Sequence, residues 1–383
     1  MYLPEQTLSS DWSRACYRVG NFSTPSKIEA LWLSNDRPND IVFDFNDEFW
    51  SKQDWSTEPS ETWQELCQQR ALQIRHNHKK VILWFSGGYD SLTIAWAFAE
   101  AGVHIDEFLI FEKSWFDENI TQNATDLYHQ FRQNFWPNLK LRILKIDHDV
   151  TENFYKDLGT DWVWNPWFRT DITKNSRLSV INSNADLMKE LEQPGVTMVD
   201  GWDKPRLDIF DDTWYARLTD QGYNWHFNTP INNFYINSAF PKLHIKQTWL
   251  TMKFFEKHGV TTNQQVHQVQ QIDRWAETKK PFSYQEYASA PGRVTPDFWF
   301  AREHVNKMLY AGGINNQESR ALLNHYQGSD VKVFDIYRSG LEDLKSLFPN
   351  SISQSLNLQT IMGTPHKIKP VDTINSQKIL INQ

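Results

Sequence analysis

The chain has 383 residues, 40% of them hydrophobic and 22% charged, with a formal net charge of −8. This is the balance of an ordinary globular protein with room for one large domain or two to three smaller ones, and its acidity argues against a dominant electrostatic grip on nucleic acid, which rests on neutralised phosphates. Only Cys16 and Cys67 are present, with no CxxC pair and no Cys/His cluster at metal-ligand spacing, so a disulfide framework and a zinc site both fall away.

His76 and His78 sit in a polar turn and need no ligand there. No stretch approaches the roughly 18 to 20 apolar residues that cross a bilayer. The opening MYLPEQTLSSDWSRACYRVG lacks the basic start and apolar run of an export signal, so a cytoplasmic location is expected. The 18 Trp residues are expected mostly in packing, with stacking on a base or ligand as the alternative.

Residues 1–58 are expected to form an irregular cap with one strand at 41–45 (IVFDF). In 61–75, Trp63, Leu66, Cys67, Leu72 and Ile74 recur at spacings of three and four, which predicts a helix. A strand follows at 80–85, and then the apolar run breaks into Ser86-Gly87-Gly88-Tyr89-Asp90-Ser91 before resuming as a helix over 91–101, stopped at Gly102. A second strand is predicted at 107–111 (EFLIF), a helix with Ile120, Leu127, Phe131 and Phe135 on one face, and a third strand at 139–146 (LKLRILKI).

Strands separated by helices of this length imply an α/β fold with a mostly parallel sheet covered on both faces. Ligands bind such sheets beyond the carboxyl ends of the strands, where the Ser-Gly-Gly segment falls. From 150 to 195 the pattern is irregular and aromatic-rich around Trp162, Trp164 and Trp167. A short strand at 196–199 then runs into a second polar break, Asp200-Gly201-Trp202-Asp203-Lys204-Pro205-Arg206. Residues 243–256 read as a helix in which Lys246 is a solvated lysine, 265–345 as further helices, and the last thirty or so residues as a weakly patterned tail rich in Ser, Asn and Gln. The expected division is a cap over 1–58, a nucleotide domain over 59–258 and a helical region with a weakly ordered tail over 259–383.

Two glycines after a strand let the backbone turn tightly and bring its N–H groups close to a ligand. A helix starting at the same place adds its unpaired N–H groups and the positive end of its dipole, which together make an anion site suited to phosphate. Ser86 and Ser91 offer hydroxyls. Asp90 is the telling residue, because a carboxylate beside a polyphosphate is costly unless it caps backbone N–H groups or holds magnesium. Neither GxxxxGK[ST] nor GxGxxG occurs, so the two commonest phosphate-loop signatures are missing.

Strand, SGGYDS and helix resemble the pyrophosphate loop of the PP-loop ATP pyrophosphatases, the adenine nucleotide alpha-hydrolase-like (HUP-like) superfamily. The similarity is most specific over 61–111 and looser to about 255, and the order of elements is closest to the synthetase domain of asparagine synthetase. The resemblance implies that Ser86, Gly87, Gly88, Tyr89, Asp90 and Ser91 hold the β- and γ-phosphates of ATP, with Mg2+ on Asp90. It also implies that Phe111 and Glu112 flank the adenine and ribose. Asp200 and Asp203 are implied as further magnesium ligands, and Lys204 and Arg206 as groups that neutralise departing pyrophosphate, although the family's Gly-Glu-Gly-Ser-Asp-Glu pattern is altered here to DGWDKPR.

The implied chemistry is attack by an acceptor carboxylate or amide-like carbonyl on the α-phosphate, followed by ammonia or an amine. The opening Met1-Tyr2-Leu3 has no cysteine where glutaminase-bearing relatives carry their nucleophile, so no built-in ammonia source is expected. A base-modifying enzyme acting on nucleic acid, with stacking by the aromatics at 162–167, and an ATP-binding module without catalysis are the alternatives.

Overall fold

Val81, Leu83 and Phe85 alternate with Ile82 and Trp84 along one strand, and all five are buried, in two separate hydrophobic clusters. A strand with two buried faces belongs in the middle of a sheet covered on both sides. The computed structural model describes residues 15–113, 118–164, 177, 179–181, 183–201, 205–220, 231–257, 259–270, 332–352 and 361–371.

The cap region is more regular than its sequence suggests. Strands β1 (Cys16–Val19) and β2 (Phe22–Thr24), helix α1 (Lys27–Leu33), strand β3 (Ile41–Asp44) and the single turn α2 (Asp47–Trp50) form an antiparallel sheet of order β2-β1-β3 with helices beside it. Helix α3 (Trp63–Asn77) opens on a reciprocal capping box between Thr62 and Glu65. It buries Trp63, Leu66, Cys67 and Ile74 as expected, but Leu72 is 46% exposed and Arg70 takes an inward place at 2%.

The main sheet follows. Strand β4 (Lys80–Trp84), helix α4 (Tyr89–Glu100), strand β5 (Glu107–Lys113), helix α5 (Glu118–Asn134), strand β6 (Lys140–Ile146), helix α6 (His148–Leu158), helix α7 (Ala185–Leu191) and strand β7 (Val196–Asp200) come in sequence. Beyond β7 the chain forms β8 (Arg206–Phe210) and β9 (Thr213–Arg217), then re-enters the sheet as β10 (Ile231–Asn233). The five strands are all parallel, in the order β10-β7-β4-β5-β6. The expected α/β class holds.

Residues of α3, α4 and α5 share a core with Val81, Leu83, Phe85 and Phe108. Leu187 and Leu191 of α7 pack with Ile82, Trp84, Leu109 and Met198 on the other face. The chain therefore winds outward from β4 through β5 to β6 on one face, crosses back on the other, and continues outward through β7 to β10. The reversal falls between β4 and β7, the place where a doubly wound sheet leaves a crevice beyond its carboxyl ends.

Helices α8 (Pro241–Lys257), α9 (Asn263–Gln270) and α10 (Val333–Leu347) and strand β11 (His366–Pro370) complete the described elements. The weakly patterned tail thus contains a strand, paired antiparallel with β9 in the sheet β11-β9-β8. The helices expected across 265–345 fall largely on 271–331, outside the described residues.

Lys246 is not solvated: it is buried, and its ammonium meets Glu58 at 2.8 Å and the Pro59 carbonyl at 2.9 Å. Early and late chain also meet at Asp220, which accepts from Tyr17 Oη at 3.1 Å and the Ile361 N–H at 3.0 Å and pairs with Lys27 at 2.6 Å. Most described tryptophans, among them Trp50, Trp55, Trp63, Trp84, Trp96, Trp136, Trp162, Trp214 and Trp249, are packed inside. Among the described residues no helix is long and apolar enough to cross a membrane.

At the amino ends of the strands Lys80, Glu107, Arg142 and Glu190 form a four-membered ion network, with Lys80–Glu107 at 2.6 Å and Arg142–Glu190 at 2.5 Å. Burial works to raise the pKa of Glu190, but hydrogen bonds to Lys80 and Arg142 outweigh it and hold the carboxyl below its ordinary value. A carboxylate depressed in the folded state adds stability above its unfolded value of 4.5, and that stability fades as pH falls through the folded value. Glu190→Gln is expected to cost about 1–2 kcal/mol at neutral pH, a range that allows for partial exposure. Urea unfolding across pH checks this, with the gap to wild type narrowing below the ordinary carboxylate range.

Candidate functional site

The break after β4 lies at the switch point. Phe85 still belongs to the sheet, its N–H donating to Leu109 O at 2.9 Å. Helix α4 begins at Tyr89, two residues earlier than the apolar pattern suggests, so Tyr89 and Asp90 belong to its first turn. Its N-cap is Gly88, which offers no side-chain cap. The N–H groups of that turn have no partner within the helix, and the dipole favours negative charge there.

The loop is held by its own serines. Ser91 is buried and accepts from the Ser86 N–H at 3.2 Å, and its hydroxyl also lies 3.2 Å from the Gly88 carbonyl. The Ser86 hydroxyl accepts from the Gly88 N–H at 3.2 Å and lies the same distance from the Ser91 hydroxyl. Ser91 thereby shapes the turn, and Ser86, exposed at the rim, is the better placed of the two to meet a ligand. Gly87 has φ +71°, and a Cβ on it would sit 3.3 Å from Ala124 Cα of α5. Both facts require glycine at this position.

The second polar break comes to the same place. β7 ends at Asp200, which is 1% exposed, and the next residue, Gly201, presses on α4. A Cβ on Gly201 would lie 3.1 Å from Asp90 Cβ, 3.1 Å from Ile94 Cδ1 and 3.0 Å from Tyr235 Cε2. Asp90 and Asp200 thus stand on two closely apposed segments, although 110 positions separate them in the chain. One or two carboxylates completed by phosphate oxygens and water form the usual complement of magnesium, so the donor types fit that ion. Among the described residues no group of three or more His, Cys, Asp or Glu gathers as a self-sufficient metal cage.

Phe111 and Glu112 lie near the carboxyl end of β5. Phe111 meets the Trp84 ring edge-on at 4.8 Å, and Glu112 pairs with Lys145 of β6 at 3.8 Å. Asp203 and Lys204 lie outside the described residues. Arg206 opens β8, in register with Arg217 of β9. Of the aromatics proposed for stacking, Trp162 is fully buried, parallel to Tyr337 at 5.4 Å and donating to Ile336 O at 3.3 Å. It is committed to packing against α10, whereas Trp164 is 46% exposed and Trp167 lies outside the described residues.

Sequence reasoning did not find Tyr235, whose hydroxyl donates to the Asp90 carbonyl at 2.9 Å. It also missed Arg70, which donates to Asn233 O and Phe234 O behind that tyrosine. The asparagine-rich segment NNFYIN at 232–237, which overlaps the three-residue strand β10, offered little signal, because a strand that short carries no clear period.

No protein-family model matches the chain, and no curated protein matches it. Among solved structures, an NMN synthetase from Francisella tularensis aligns over 66% of this chain and 96% of its own, at 13% identity and a TM-score of 0.30. At that distance the likeness carries no argument about this chain.

Gly87→Ala should destabilise the protein by about 1–2 kcal/mol, from the left-handed backbone alone. Gly88→Ala, at φ −75° with only the Ser86 hydroxyl 3.2 Å from its Cβ, should cost less. Thermal or urea unfolding of the pair checks the order, and equal losses would contradict the loop geometry.

Proposed function

We propose that the protein is an ATP pyrophosphatase that adenylates an acceptor carboxylate or amide-like carbonyl and passes it to ammonia or an amine, a ligase resembling asparagine synthetase without a glutaminase domain. One observation carries this reading. The SGGYDS turn opens α4 at the switch point of the parallel sheet, and the Asp200–Gly201 exit of β7 packs directly on Asp90.

In this reading the β- and γ-phosphates of ATP lie against the SGGYDS turn and the amino end of α4, and the adenosine end extends toward Phe111 and Glu112. Asp90 and Asp200, with Asp203 as a third candidate, hold Mg2+, which when bound supplies neutralising charge to the polyphosphate. The acceptor oxygen forms a bond to the α-phosphorus while the bond from that phosphorus to the α–β bridging oxygen breaks, and the electron pair leaves with pyrophosphate. Lys204 and Arg206, which follow Gly201 in the chain, offset the charge of the leaving group. The nitrogen nucleophile then attacks the activated carbon, AMP departs with the C–O electron pair, and the nitrogen loses its proton to solvent.

Such a first step depends on positioning and charge neutralisation more than on a general base. Fixed backbone donors and two carboxylates on rigid elements are suited to it. For the alternative role on nucleic acid, Trp162 is unavailable for stacking because it is buried against Tyr337, whereas Trp164 is exposed.

Incubation with α-labelled ATP, magnesium and a small-molecule extract, followed by separation of the nucleotides, is expected to give AMP and pyrophosphate. Asp90→Asn should lower that turnover by about a hundredfold or more while the protein remains folded by circular dichroism. Formation of ADP, or turnover unchanged in the variant, would contradict the proposal.

A further inference from the structure

Tyr235 is fully buried, and its environment is built from three sides. Asn233, at the end of β10, accepts the N–H groups of Tyr235 and Ile236 at 3.0 and 2.8 Å. Arg70 of α3 donates to Asn232 Oδ1 at 2.6 Å, Asn233 O at 3.1 Å and Phe234 O at 3.2 Å. The Trp63 ring lies parallel to the tyrosine ring at 5.8 Å. A buried guanidinium that satisfies three acceptors in one turn fixes that turn far better than packing alone.

From this frame the tyrosine reaches both halves of the site. Its ring edge faces Gly201, and its hydroxyl donates to the Asp90 carbonyl at 2.9 Å. We infer that Tyr235 is a positioning residue of the phosphate site, locking the first turn of α4 against the exit of β7 so that the Asp90 and Asp200 segments are presented together to a metal-bound polyphosphate. This rests on the reading of that site as one for magnesium ATP. Nothing in the tyrosine's own chemistry is consumed: it touches neither phosphate nor acceptor, and acts through the backbone that carries Asp90. Mispositioning of a binding group by a fraction of an ångström is enough to weaken a preorganised site.

The test is the ratio of ATP affinities with and without magnesium, measured by calorimetric titration of the full chain, a quantity that needs no acceptor. Wild type should bind ATP about tenfold or more tightly with magnesium, and Tyr235→Phe, which keeps the ring, should lose most of that gain. Its melting temperature should fall by no more than about 4 °C, the scale of one lost hydrogen bond. Trp63→Phe, which loosens the packing but keeps the hydroxyl, should retain the magnesium gain. Gly201→Ala provides a second route, because its methyl group would lie 3.0 Å from the tyrosine ring and 3.1 Å from Asp90 Cβ, closer than such atoms ordinarily pack, and so strains the same junction; it should show the same loss even if Tyr235→Phe folds poorly. A wild-type ratio in either Tyr235→Phe or Gly201→Ala would overturn the positioning role and leave the proposed function intact, whereas absence of ATP binding by wild type would overturn both.

Discussion

The structure of the site depends on a close approach at Gly201, where even a methyl group would be crowded. The residue is pinned between the first turn of α4 and the ring of Tyr235, with Asp90 and Ile94 on one side and the phenol on the other. β4 and β7 are neighbours in the sheet, but the chain leaves them toward different elements. The glycine at the exit of β7 lets the two departures lie against each other without crowding. Without that contact, the loop after β4 and the exit of β7 would be two separate features of the sheet's carboxyl end.

The two ends of the sheet are charged in different ways. At the amino ends, Lys80, Glu107, Arg142 and Glu190 neutralise one another and tie three elements and a helix into register. At the carboxyl ends the amino end of α4, positive in character, lies beside two carboxylate-bearing residues, Asp90 and the buried Asp200. Such a mixture suits a polyanion that arrives with its own cation, since a carboxylate facing bare phosphate is repelled. The closed network stabilises the fold, and the open convergence is the arrangement on which the proposed ligase chemistry rests.

Much of this was legible in the sequence because the signals were local. The strand, SGGYDS and helix are contiguous, marked in turn by apolar patterning, by glycines and by the helix stop at Gly102, whose φ is +69°. The parallel sheet followed from alternating strands and helices. What escaped depends on partners distant in the chain. β1, β2, β8, β9 and β11 are short strands in antiparallel sheets, and β11 pairs with β9 across some 150 residues of intervening chain. Lys246 looks like a solvated helix lysine until Glu58 is brought to it, and Trp162 looks like a stacking platform until α10 covers it. Tyr235 and Arg70 carry no motif at all; their roles exist only once β10 lies beside β7.

The central claim is that the turn between β4 and α4 receives the phosphates of ATP. Hydrogen–deuterium exchange of the backbone amides, with and without magnesium ATP, tests it most directly because it reads the donors themselves and requires neither acceptor nor turnover. The account predicts slowed exchange at 86–92 and at 199–201, with the amino-end network around Lys80 and Glu107 unchanged. Protection confined to some other part of the molecule, with the amides of 86–92 exchanging as before, would contradict it.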